Sequence, residues 1–207
     1  PGLVVCIKPV GVRAQGEAEA DLPALLKRQL GCEIYPIHRL DQAVGGVMVF
    51  AKTAPAAAKL SQAMAEGTLQ QEYLAVLGAR PQDDSGELFD FLFHDRFKNK
   101  TYVVSKERKG VKKASLSYRV VAEADGLCLV HVRLHTGRTH QIRVHMASIS
   151  HPLLGDTVYG NSKNPYKLQG QALHARTIGF IHPTTGEYIE VSAPIPEYMT
   201  ELVRKLS

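Results

Sequence analysis

The run Gly46-Val47-Met48-Val49-Phe50-Ala51 contains no polar side chain and is rich in valine. A half-wet strand would alternate polar with apolar residues, so this run reads as a strand buried inside a sheet. It is far too short to cross a bilayer. The rest of the chain supplies neighbours for it. Leu3–Ile7 reads as a short strand ended by Lys8-Pro9 and Gly11, and Asp21-Leu22-Pro23 opens a helix through about Leu30, which Gly31 stops. Ile34–Leu40 is expected to be extended. Thr53, with Pro55 just after it, starts a helix in which Ala57, Leu60 and Met64 keep helical spacing and Gly67 stands at the C-terminal cap. Leu69–Leu77 returns as a strand, with Tyr73 sharing a face with Gln71, Ala75 and Leu77.

Further along, Leu116–Val121 and Leu127–Leu134 read as strands around an Asp125-Gly126 turn. In the second of these, Cys128, Val130, Val132 and Leu134 lie on one face. Thr139–Ile149 reads as a helix with Ile142, Met146 and Ile149 as its buried stripe. Ala172–Ile181 and Glu187–Ser192 read as a closing strand pair around Thr185-Gly186, and Met199–Leu206 as a terminal helix. The expected class is α+β: a large, mixed, mostly antiparallel sheet, bent around a cleft and flanked by helices. With 207 residues, 44% of them apolar and 22% charged, one folded domain over residues 1–207 is expected. No secretory signal is visible, and no separate N-terminal domain is read within this sequence. Cys6, Cys32 and Cys128 are odd in number and lack CxxC spacing, which argues against a disulfide framework or a cysteine-based zinc site and for a cytoplasmic location.

Charge is uneven. Arg96 to Lys113 holds eight basic residues against the single acid Glu107, so this segment carries +7 while the chain as a whole carries +5. Phe97, Asn99 and Tyr102 interleave with those cations, a composition suited to phosphate and bases, although a solvated charged hairpin would look the same. His131, His135, His140, His145 and His151 invite a metal reading, but His140 and His145 are five apart and no glutamate follows His140, so no metal site is expected.

Two stretches stand out for their polar groups: the first, taken alone, reads equally as a surface strand end with a solvated ion pair, and the second is denser in polar groups than a core helix start requires. In His38-Arg39-Leu40-Asp41, alternation puts Arg39 and Asp41 on the side opposite Leu40, with Asp41 between two strands. In Gly137-Arg138-Thr139-His140-Gln141-Ile142-Arg143-Val144-His145, two arginines, a glutamine and histidines gather at a strand-to-helix turn, where backbone N–H groups also point outward. These two stretches, with Gln71-Glu72-Tyr73-Leu74-Ala75 and His151-Pro152-Leu153-Leu154-Gly155-Asp156, resemble in their order the signature of the RluA family of RNA pseudouridine synthases. Leu173-His174-Ala175, His182-Pro183 and Ala193-Pro194 extend the resemblance over roughly the whole chain. Two positions depart from it: Val44-Gly45-Gly46 stands where the family carries Thr-Ser-Gly, and Gln71 where a lysine begins the tyrosine motif.

The resemblance implies isomerisation of uridine to pseudouridine in structured RNA, ribosomal or transfer, without a cofactor. Asp41 would be the catalytic carboxylate, by covalent attack or by proton removal, acting on a flipped-out uridine. Tyr73 would stack on the uracil, and Arg143 would be the charge partner of Asp41. Arg39 would fill the gap left by the base, while Arg138, His140 and Gln141 and the basic Lys106, Arg108 and Lys109 would contact RNA. RNA is the expected partner of a monomer without membrane association. A catalytically inactive RNA-binding protein on the same fold stays open as the alternative.

Overall fold

A computed structural model of the chain describes residues 2–16, 18–160 and 166–204. It divides into two compact units, Pro1–Glu72 with His174–Pro194 and Tyr73–Leu173 with Ile195–Ser207.

The first unit is built on the apolar run. Gly45–Ala51 forms strand β3, and every residue of it is buried. β1 (Leu3–Lys8) lies antiparallel to β3, with Leu3 opposite Ala51 and Lys8 opposite Gly46. The short β2 (Tyr35–Pro36) also pairs with β3, so the extended stretch expected from Ile34 to Leu40 shrinks to two ladder residues. Pro36, which has no N–H to donate, ends the ladder. On the edge away from β1, the one that β2 also uses at its far end, β3 runs parallel to β9 (Leu173–Ile181), and β9 carries the antiparallel β10 (Tyr188–Ser192).

Helix α1 (Leu22–Leu30) starts after an extended Asp21 and ends on a left-handed Gly31; α2 (Ala54–Glu66) is capped by the Thr53 hydroxyl on the Ala56 N–H and ends on a left-handed Gly67. Ala56 and Leu60 of α2 pack with Val47, Val49, Ile178 and Phe180 in one apolar core.

The second unit takes the strands in the order β4 (Gln70–Leu77, of which the last five residues belong here), β8 (Leu127–Leu134), β7 (Val111–Ala124), β5 (Ser85–Asp95) and β6 (Lys100–Val104). Asp125 and Gly126 both adopt positive φ, as a two-residue turn between β7 and β8 requires. β8 is buried on both sides from Leu127 to Val130, rather than on the single Cys128 face. Leu127 and Leu129 pack with Leu74, Val76, Met199 and Leu202, the last two from α4 (Glu197–Arg204). The expected terminal helix runs on to Leu206, and residues 205–207 lie outside the described ones.

Helix α3 (Gln141–Ser148) is shorter than expected and differs in kind. Gln141 to Met146 are all buried, so it carries no separate apolar stripe, and Ile149 is its C-cap. Gln141 and Arg143 are buried here because each finds partners, as described below; His145 is buried without them among the described residues. β5 and β6 fall in a region with no strand expectation, and β7 is far longer than Leu116–Val121. Every strand pairing detailed here is antiparallel except β3 with β9.

Gly46 has a positive φ of 129°, and a Cβ there would lie 2.2 Å from the backbone oxygen of Ala175 on β9. Since the obstacle is backbone, it cannot swing aside. Gly46→Ala is expected to destabilise the chain by about 3 kcal/mol or more, seen as a lower urea midpoint.

Candidate active site

Residues 38–41 connect β2 to β3, and their burial alternates: His38 and Leu40 are buried, Arg39 is exposed and Asp41 half-buried. The alternation expected from the sequence is therefore present without a ladder. His38 holds the segment down. Its Nε2 accepts the Val49 N–H at 3.1 Å, and its Nδ1 is 2.8 Å from the Gln71 side-chain amide. A nitrogen that accepts a backbone N–H carries no proton, so the proton of neutral His38 is on Nδ1 and the Gln71 group facing it must be the amide oxygen. A lysine at 71 could only donate, which gives the glutamine a physical reason. Burial pulls His38 down to about 4.

Asp41 opens a tight turn in which the Val44 N–H donates to its carbonyl at 2.9 Å. The next residue anchors the turn. The Gln42 carbonyl accepts from the Gly11 N–H at 2.8 Å and from Lys8 Nζ at 3.1 Å, and the Gln42 side-chain amide donates to the Gly11 carbonyl. Lys8 is only 1% exposed, and its ammonium also donates to the carbonyls of Pro9 and Val12. Burial draws it down to about 8, while the nearby charge of Asp41 works the other way. The sequence assigns no role to Lys8, read only as the end of a strand, or to His38, read only as the start of the 38–41 stretch. An isolated lysine before a proline and a histidine beside an arginine carry no sign of burial.

In the second unit Tyr73 is buried on β4 at 5% exposure. Arg143, on α3, makes a two-pronged ion pair with Asp156: Nε donates to Oδ2 at 2.7 Å and Nη2 to Oδ1 at 3.0 Å. Asp156 is 1% exposed and also accepts the N–H groups of Val158 and Tyr159. Burial alone would raise its carboxyl, but Arg143 and those two backbone donors outweigh it and hold it below the ordinary range. The Arg143 guanidinium also sits 5.0 Å from the centre of the Tyr159 ring. The Tyr159 hydroxyl accepts the Thr101 N–H and meets His140 Nδ1 at 2.8 Å. His140 is the left-handed N-cap of α3, with φ 55°.

Arg138 donates through Nε to the Lys113 carbonyl, and its own N–H goes to Gln141 Oε1. That same oxygen accepts from the Thr136 hydroxyl, and Gln141 Nε2 donates to the Ser115 carbonyl. Gln141 is thus buried with its amide committed to the turn that carries Arg138. Lys106, Arg108 and Lys109 are exposed on the β6–β7 connection. Asp156 and Tyr159, both outside the expected site, hold Arg143 and His140. Asp156 could be found only by knowing which acid of the same unit folds against Arg143.

Among the described residues, no group of three His, Cys, Asp or Glu could hold a metal ion, and no helix is long and apolar enough to cross a membrane.

The fold and these elements define the class: a mostly antiparallel α+β chain of the pseudouridine synthase type. It aligns with human RNA pseudouridylate synthase domain containing 4 at a TM-score of 0.79 and 24% identity, over 99% of this chain and 90% of the other. The family described as RNA pseudouridylate synthase matches residues 2–148, and the chain belongs to it, within its RluA branch. It is 37% identical over 177 residues to ribosomal large subunit pseudouridine synthase D of Zymomonas mobilis, and 38% identical over 170 residues to an uncharacterized RNA pseudouridine synthase of Bacillus subtilis. Each match covers 82% of this chain but 55% of the relative, so the chain spans about half the length of these relatives.

Three expectations follow for stability. His38 and His145 both sit at about 4 when folded, through burial, against about 6.5 when unfolded. Their neutral forms favour folding fully above about pH 6.5, and this is lost as the pH falls toward 4; unfolding at pH 7 and 4.5 should differ by roughly 3 kcal/mol or more. Gln71→Leu, which leaves the His38 Nδ1–H without an acceptor, should cost about 1–3 kcal/mol at pH 7. Asp156→Ala, which strips Arg143 of its two-pronged partner, should cost about 3–5 kcal/mol in denaturant titration.

Proposed function

We propose that this chain isomerises uridine to pseudouridine in structured RNA, with Asp41 as the catalytic carboxylate. The observation that carries this reading is the Asp41 turn, half-buried and tied down by a buried lysine and a buried neutral histidine inside a family-matched segment. In the reaction the bond from the sugar to the ring nitrogen breaks, the base turns, and a ring carbon bonds to the sugar and loses its proton, while the freed ring nitrogen gains one. Substrate and product have the same atoms, so the reaction needs no redox carrier or energy donor. Asp41 acts ionised, either by attack on the sugar carbon or by removal of a sugar proton.

Tyr73 stacks on the uracil and its hydroxyl serves the ring proton, with Arg143 as the charge partner of Asp41. Arg39, exposed beside Asp41, takes the place of the flipped base, since a planar guanidinium both stacks and donates hydrogen bonds. Arg138 and His140 contact RNA from the turn that Gln141 braces, and Lys106, Arg108 and Lys109 hold the flanking backbone. The names of the relatives favour ribosomal RNA over transfer RNA as the target. The chain works as a monomer in the cytoplasm, and residues 1–207 act as one catalytic domain.

Asp41→Asn is expected to lower pseudouridine formation by at least about 10²-fold while RNA binding persists. Comparing pseudouridine maps of cells carrying wild type and this variant would name the uridine, and identical maps would favour the inactive RNA-binding alternative. Replacing Lys106, Arg108 and Lys109 together with glutamine should weaken RNA binding and reduce its salt slope by about 2, with the fold intact.

A further inference from the structure

β5 presents two unlike faces. Leu92 is buried, as is Ala114 across the ladder on β7, and both pack with Val144 of α3. Residues of odd number point the other way, and on β5 they are Phe89, Phe91 and Phe93. Directly opposite residues share a face, so Tyr102 on β6 joins Phe93, and Lys113 on β7 joins Phe91. Phe89 is 61% exposed, and Phe91, Phe93 and Tyr102 are each only part-buried. Phe89 and Phe91 meet edge to face, their centres 5.9 Å apart. The Arg108 guanidinium stands 5.6 Å from the Phe93 ring centre, and the Lys100 ammonium 5.7 Å from that of Tyr102.

Three rings in a row, spaced about 6.8 Å apart along the strand, cost solubility and are not needed for the core that Leu92 and Ala114 serve. We propose that this face is a stacking platform for unpaired nucleotides of the RNA, outside the residues given roles in isomerisation except for Arg108. It rests on the reading above for its partner and extends the contact beyond phosphate to bases. Bases of any sequence have a π face, and cations beside the rings hold the strand's phosphates. Charge decides against a second copy as the occupant: this face lies in and beside the segment that carries +7, so two copies placed face to face repel.

The chain has no tryptophan, so Phe89→Trp installs a single reporter on the platform. Titrating the full chain with a short, uridine-free oligoadenylate should quench its emission, and the matching duplex should not. Phe89→Ala should weaken oligoadenylate binding roughly 5- to 100-fold without changing the salt slope. Lys113→Gln should lower that slope by about 0.7. On a uridine-containing stem-loop, Phe89→Ala should raise KM and leave kcat unchanged. Unchanged emission at saturation, equal affinity of Phe89→Ala and wild type, or a wild-type dimer in sedimentation that Phe89→Ala dissolves would each overturn the platform. A chain that forms pseudouridine normally with Phe89→Ala loses the platform alone. A chain that quenches on oligoadenylate but modifies no RNA keeps the platform and loses the isomerase reading.

Discussion

Lys8 puts a nearly inaccessible ammonium at the end of β1, and the arrangement survives because its three N–H groups donate to three carbonyl oxygens. A lone ammonium at such a depth would cost several kcal/mol or shed its proton. One of the three oxygens belongs to Gln42, next to Asp41, so the condition that lets the lysine stay charged also fixes the turn bearing the carboxylate. His38 works from the other end of the same segment. Its ring bridges the Val49 N–H on β3 and the Gln71 amide at the start of β4, so a loop of four residues is pinned to two strands. The apolar strand is therefore the reference frame of the site: β3 supplies the N–H that fixes His38, and pairs with the strand that ends in Lys8.

The second unit solves the same problem with ions of opposite sign. α3 buries six consecutive residues, among them Gln141 and Arg143, which an amphipathic helix would place outside. Each polar group brings its own partners: Asp156 and the Tyr159 ring for Arg143, and three groups of the 115–138 region for Gln141. His145 is the exception. It is fully buried, neither ring nitrogen has a hydrogen bond among the described residues, and Asp90 is 3.6 Å away. That spacing would form an ion pair only if the ring were charged, and burial disfavours charge on both partners, lowering His145 and raising Asp90. We therefore read the contact as neutral packing rather than a salt bridge.

Local signals were legible in the sequence, and long-range ones were not. Helix caps at Thr53, Gly31 and Gly67, the Asp125-Gly126 turn and the buried run of β3 are each decided within a few residues, and all lie where the pattern puts them. β5 was invisible because its two faces are both apolar in part: Leu88 and Leu92 on one, three phenylalanines on the other, which erases the period of two. The short helix α3 misled for the same reason, since burial follows hydrogen-bond partners there instead of hydropathy. Within the candidate site, the alternation of Arg39 and Asp41 against Leu40 was readable, as was the cluster at residues 137–143. Lys8, Gln71 and Asp156 were not, because what each does depends on a residue far off or on which side of the backbone it faces.

The departures from the family pattern illustrate how chemistry and position are separable. At 71 the side chain need not carry charge: its work here is to accept a hydrogen bond from a buried neutral imidazole, and an amide oxygen does this where an ammonium could only donate. At 44 and 45 the two hydroxyl residues of the family pattern are replaced, while Gly46 keeps the family's glycine, and there the constraint is shape. Gly46 lies so close to the Ala175 backbone that any side chain is excluded, whereas a Cβ at Gly45 would meet the Lys8 carbonyl at 3.2 Å and the Val10 side chain at 3.3 Å, a tight fit that a small shift relieves. Hydroxyl groups at such positions would contribute little if the turn is already held by backbone and lysine. The chain thus keeps the groups that touch substrate in its proposed chemistry and varies those that support them, which is the order in which a positioned carboxylate tolerates change.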